Sequence, residues 1–234
     1  MGRAVLGALC LAVLLPAGLA VAGGNNEAFI RQVSPSGSAL GNTLRIDQSL
    51  ATDSTVRGIG GELIGKVPLY LLGTLTANDP LVAQQRGERN DAELTITGAG
   101  GELQLYQSVG AGASWTPYGA DARNTAVLAA ASGALGGVIQ IGSDNFAALK
   151  LGDDATGLIS QFGSDLSSTL DVGSGGRGTV VQVGSNSTTG TVTVAPNTSL
   201  LYTQIGNGLV PPPGAAASVF STSLGTVIIQ QTAW

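Results

Sequence analysis

The chain has 234 residues, of which 36 are glycine, 43% are hydrophobic, 11% are charged, 4% are aromatic and none is histidine. A disordered acidic tail would be poorer in aliphatic side chains and richer in charge, and an ordinary α/β enzyme would carry more aromatic and charged residues. The formal charge of -5 comes without a basic stripe to neutralise phosphates, so the composition argues against a nucleic-acid partner and for an all-β repeat protein rich in turns.

Residues 1–22 read as an export signal. Arg3 supplies a positive start, Ala4 to Leu15 form an apolar run, Pro16 and Gly18 break it, and Ala20 and Ala22 are the small residues at the cleavage positions. A retained anchor and a lipoprotein at Cys10 are the weaker alternatives. After cleavage near Gly23 the chain contains no cysteine, so it is expected to be secreted without a disulfide.

Residues 23–54 hold two segments in which Asn and Gln stand six apart, Asn26 to Gln32 and Asn42 to Gln48. Residues 55–84 show no repeat; their apolar runs, interrupted by Pro68, predict an irregular β segment. Residues 85–209 carry the clearest period. Gln-x-Gly recurs at Gln140–Gly142, Gln161–Gly163, Gln182–Gly184 and Gln204–Gly206, at intervals of 21, 21 and 22. An apolar strand precedes each tripeptide, a polar turn follows, and a second alternating strand comes next: Leu149–Leu151, Leu170–Val172, Val192–Val194. The second strand of the third unit lies one residue later, which predicts one extra turn residue there. The same order begins at Gln85, Gly87, Asn90 and Ala92, and Gln107 follows Gln85 at the same interval of 22. Residues 108–135 are irregular, with 115–118 reading as a protruding turn and Asn124-Thr125-Ala126 recovering Asn-x-Ala. Residues 210–234 open with a proline-rich break and end in a strand at 225–231, either a sticky end or a capping layer.

A strand-turn-strand unit of this length cannot bury its inner face alone but can when stacked on copies of itself, at about 4.8 Å per layer. The predicted fold is therefore all-β, a β-solenoid of stacked strand-turn-strand repeats with a period of 21 or 22. Alternation puts Val138 with Gln140, Ile159 with Gln161 and Val180 with Gln182 on one face, so equivalent glutamines superimpose and their amides pair along the stack. The opposite face carries Ile139, Ile141, Phe162, Val181, Val183 and Ile205. That stripe is expected to favour lateral association of fibres over coverage by residues 50–120.

Catalytic chemistry is not legible. Without histidine there is no His-based triad or imidazole metal site, and without a mature cysteine no thiol nucleophile or zinc-thiolate site. Asp144, Asp153, Asp154, Asp165 and Asp171 lack the nine-residue calcium pattern and read as solvated charges that interrupt aggregation. No cofactor, metal or enzymatic activity is expected.

The residues resemble the curlin repeat, Ser-x5-Gln-x-Gly-x2-Asn-x-Ala-x3-Gln. Gln85, Gly87, Asn90 and Ala92 match the end of its first arm and the start of its second; Gly101 to Gln107 looks like a first arm; and Asn26, Ala28 and Gln32 match a second arm. The units at 140, 161 and 182 keep Gln and Gly, but only Asn145 holds the Asn position and their second arms end in Leu151, Val172 and Val194. The resemblance implies a secreted, non-enzymatic subunit of curli-like amyloid fibres at the cell surface. It also implies self-association, a nucleating homologue and an outer-membrane secretion channel as partners. The alternative is a monomeric or capped β-solenoid adhesin.

Overall fold

A computed structural model describes residues 24–34, 41–75, 78–109, 122–210, 218–219 and 226–232; the cleavage positions Ala20 and Ala22 and the turn at 115–118 lie outside them. Two-residue alternation of apolar and polar side chains, punctuated by Gly, Asn and Asp, makes most of these residues strand. In chain order the strands are β1 (Glu27–Ala28), β2 (Ile30–Val33), β3 (Thr43–Thr52), β4 (Thr55–Arg57), β5 (Ala83–Arg86), β6 (Asp91–Ala99), β7 (Glu102–Ser108) and β8 (Thr125–Ala130). They continue with β9 (Leu135–Ser143), β10 (Phe146–Leu151), β11 (Thr156–Val172), β12 (Arg177–Val194), β13 (Ser199–Ile205), β14 (Ser218–Val219) and β15 (Thr226–Thr232). Between β4 and β5 lie the short helices α1 (Gly61–Ile64) and α2 (Leu69–Leu72) and a 3-10 turn at Gly73–Leu75.

All strand pairs among the described residues are parallel. One ladder runs from β1 and β2 through β4 and β5, β7, β9, β11, β12 and β13 to β15. A second runs through β3, β6, β8, β10 and the later halves of β11 and β12 to β14. Because β11 and β12 continue through the corner, the two ladders form one curled parallel sheet.

The concave side is closed by aliphatic columns. Leu94, Leu128, Leu149, Leu170 and Val192 share one register in the second ladder and meet Leu105, Val138, Ile159 and Val180 of the first in a single core. Full burial of each such side chain is worth about 1.5–3 kcal/mol. Gly157 makes room for this packing, because a Cβ there would lie 2.6 Å from Leu151 and 2.8 Å from Leu149. Charged residues stay outside and pair with the next strand at exposed positions, as Lys150 does with Asp171 at 3.9 Å, which adds little.

Three expectations are corrected. Residues 61–75 are helical turns rather than a β segment. The convex stripe of Ile139, Ile141, Phe162, Val181 and Val183 is not free: Ile59, Leu63, Val67, Leu71 and Leu75 cover it in a second cluster, while Ile205, beyond the cover, is half-buried. The extra residue of the third unit sits inside the second arm, not in the turn. The register shifts there between Ser167 and Thr169, which face Thr188 and Thr191, and Thr189 is buried against Ser168 with its hydroxyl donating at 3.0 Å.

The glycine two places after Gln140, Gln161 and Gln182 is required by the neighbouring strand. Gly142, Gly163, Gly184 and Gly206 hold φ between 124° and 140°, and a Cβ on Gly163 would overlap the carbonyl of Gly184. Gly163→Ala is expected to cost at least about 2 kcal/mol. A fall in the urea midpoint at unchanged m value would register it, and an unchanged midpoint would contradict this role of the corner.

Candidate functional site

The first ladder carries a column of side-chain amides along its inner face. Gln32 Nε2 donates to Gln85 Oε1 at 2.7 Å, Gln85 to Gln107 at 2.9 Å, Gln107 to Gln140 at 2.8 Å and Gln140 to Gln161 at 2.9 Å. The column continues from Gln161 to Gln182 at 2.8 Å, Gln182 to Gln204 at 2.9 Å and Gln204 to Gln231 at 2.7 Å. From Gln85 to Gln204 these side chains are at most 1% exposed.

The second proton of each amide joins the two arms. Gln85 donates to Thr43 O, Gln140 to Thr125 O, Gln161 to Phe146 O and Gln204 to Thr188 O, at 2.9–3.0 Å. A buried primary amide is costly unless its hydrogen-bonding atoms find partners, and here the layer beside it and the opposite arm provide them.

At the corner a second column uses asparagine and points the other way. Asn90 Nδ2 donates to Asn42 Oδ1 at 3.0 Å, Asn124 to Asn90 at 3.2 Å and Asn145 to Asn124 at 3.0 Å. Asn145 Oδ1 then accepts from the backbone N–H of Leu166, which ends the column because Leu166 has no amide to continue it. Ala92, Ala126 and Ala147 follow in register, buried beneath the corner.

The structure thus brings the expected ladder residues together. Gln85, Gln107, Gln140, Gln161, Gln182 and Gln204 form one column, Asn90 and Asn145 another, and Gly87, Gly142, Gly163, Gly184 and Gly206 all have positive φ at the corner. One assignment moves: Asn26, Ala28 and Gln32 belong to the first arm, since Gln32 pairs with Gln85. Gln231, legible only as part of a terminal strand, is the last member of the column. Its signal is an apolar residue two places before a glutamine, Ile229-Gln230-Gln231 as in Val138-Ile139-Gln140, hidden by an interval of 27 from Gln204.

Asp144 and Asp165 hold left-handed φ of 57° and 54° in the first corner, and Asp154 one of 54° in the second, a conformation that Asp and Asn tolerate better than other side chains. Among the described residues no group of three or more His, Cys, Asp or Glu is arranged to hold a metal ion. The chemistry this arrangement offers is hydrogen bonding along one axis, open at both ends among the described residues. Gln32 Oε1 accepts from no described residue, and Gln231 Nε2 donates to none.

Removing one amide leaves its neighbours short of a partner on both sides. Gln161→Leu is expected to lower stability by about 3 kcal/mol, measured by urea unfolding, and a loss under about 1 kcal/mol would contradict a load shared through the column.

The last strand is tied down by Tyr202 as well. Its hydroxyl donates to Gln231 Oε1 at 2.8 Å, and burial raises its pKa above the ordinary value near 10, partly opposed by the hydrogen bond from Gln204. A group whose pKa is raised by folding contributes fully below the unfolded value and loses that contribution as pH climbs through the folded one. The urea midpoint should therefore fall more steeply above pH 10 in the parent chain than in Tyr202→Phe; parallel curves would refute the assignment.

No protein-family model matches the chain, and neither a curated relative nor a solved structure matches it.

Proposed function

We propose that this chain is a secreted structural subunit of curlin-type extracellular fibres. Its repeat units stack as a β-solenoid, and copies add end to end for matrix formation and adhesion. The observation that carries the reading is the polarity of the glutamine column, with an acceptor at Gln32 and a donor at Gln231 that no described residue fills. Export to the cell surface, a nucleating homologue and a curli-type secretion channel complete the proposal.

The two end strands have complementary chemistry. Residues 27–33 and 226–232 are each seven long, and setting Gln231 against Gln32 sets Val227 against Ala28 and Ile229 against Ile30. The inner column Leu105, Val138, Ile159, Val180, Tyr202, Ile229 would thereby continue into the next molecule. Among the described residues both edges present unpaired backbone groups, which a second copy would satisfy in parallel. The capped adhesin is the second reading, favoured by the observation that β15 already pairs along its whole length with β13.

Thioflavin fluorescence and electron microscopy of purified residues 23–234 separate the two, a persistent soluble monomer favouring the adhesin. Ile30→Lys, which places a charge in the joint, is expected to slow elongation about tenfold, equivalent to about 1.4 kcal/mol, with the circular dichroism of the monomer unchanged. Replacing Gln140, Gln161, Gln182 and Gln204 together by Leu should slow or misdirect assembly, and unchanged kinetics would count against the column.

A further inference from the structure

After Arg57 the chain leaves the sheet at one point of one strand, and at Ala83 it returns at the next position. Arg57 stands opposite Gln104 and Gln84 opposite Tyr106, so Ala83 alone fills the place between them. The neighbouring chain is unbroken across the junction: Phe29 N donates to Val56 O at 2.9 Å, and Ala83 N donates to Phe29 O at 2.7 Å. β4 and β5 are therefore one ladder strand, and the described residues between Arg57 and Ala83 form an excursion that the pairing does not need.

The excursion is fitted to the convex face. Leu63 enters a notch made by Gly137, where a Cβ would lie 2.6 Å from Leu63 Cδ1. Gly60 N donates to the buried Gln104 Oε1 at 2.8 Å, and Asn78 brackets Ile59, donating to its carbonyl at 2.7 Å and accepting from its N–H at 3.3 Å. Beneath lie Ile139, Phe162 and Val181, on neighbouring strands of the ladder and at most 7% exposed. Uncovered, such columns make a flat apolar face of the kind that packs against another sheet at about 10 Å.

We infer that residues 58–75 and 78–82 are an intramolecular shield that fills the place of a lateral sheet-to-sheet interface, and that the partner it excludes is the same face of a second copy. Its effect on filaments rests on the fibre reading; the shielding itself is a property of the single chain. A variant with Arg57 joined directly to Ala83, and the point variant Gly137→Val, both uncover the face. Valine suits a strand position, and it fills the notch that Leu63 needs.

Both variants are followed by circular dichroism, by sedimentation of the non-fibrillar fraction and by mass per length of any fibres. The expected result is a retained β signal, self-association at concentrations at least about tenfold below the parent's, and at least a doubling of mass per length. Val181→Lys added to the deletion should reverse both changes. Retained β signal with the parent's sedimentation and mass per length would overturn the inference. Loss of β signal in both variants would overturn it too, by assigning the segment to folding. Should the parent form no fibres, the functional proposal fails, and sedimentation alone still decides the shield.

Discussion

A primary amide in an apolar interior has two donor protons and a two-lone-pair acceptor to satisfy, and water is not there to help. The ladder glutamines meet this demand with the one group whose donors and acceptor are arranged to match at every layer, another glutamine at the same height. Gln140 can stay fully buried because Gln107 donates to it, Gln161 accepts from it, and Thr125 O takes its second proton. The interaction fixes register more tightly than the aliphatic columns do. A slip of one residue would turn a valine or isoleucine outward, but it would also leave a buried amide on each side without a partner. The corner glycines follow from the same constraint: with the glutamine at a fixed height, the carbonyl of the next corner lies where a Cβ would be, so Gly142, Gly163 and Gly184 recur.

Register held at one position per layer leaves the chain free to wander between layers. Gln32 and Gln85 are hydrogen-bonded neighbours although they stand 53 apart in the chain, and Gln107 and Gln140 although they stand 33 apart. This decides what is legible in the sequence. Where the interval stays at 21 or 22, the arms, their apolar positions and the glutamine column follow from the spacing alone. Where an excursion intervenes, the spacing says nothing, and Gln32 consequently reads as part of the wrong arm. The excursion at 58–82 carries its own signal in Ile59, Leu63, Val67, Leu71 and Leu75, each four residues from the last. That is a helical period, but Gly58, Gly60, Gly61, Gly65 and Pro68 break the segment into turns and mask it. The convex stripe can be read as apolar, but not as covered, because coverage depends on where an inserted segment lies in space.

The two polar columns differ in direction and in reach. Glutamine amides donate toward the C-terminal end, whereas asparagine amides donate toward the N-terminal end, from Asn145 to Asn124 to Asn90 to Asn42. Through the first layers the two sets of dipoles oppose one another. After Asn145 the corner position passes to Leu166 and then Ser187, and the asparagine column stops. From there to Gln231 the glutamine column runs unopposed. The N-terminal layers therefore carry both columns and the C-terminal layers only one, so the two ends of the sheet differ in electrostatic character even though their strands match in length and apolar pattern. In the proposed fibre an end-to-end joint would have a sense: the donor of Gln231 would meet the acceptor of Gln32, whereas joining two C-terminal ends would set donor against donor. In the proposed fibre, a single orientation of every subunit would follow from a few buried amides, with neither a charge nor a catalytic group needed at the joint.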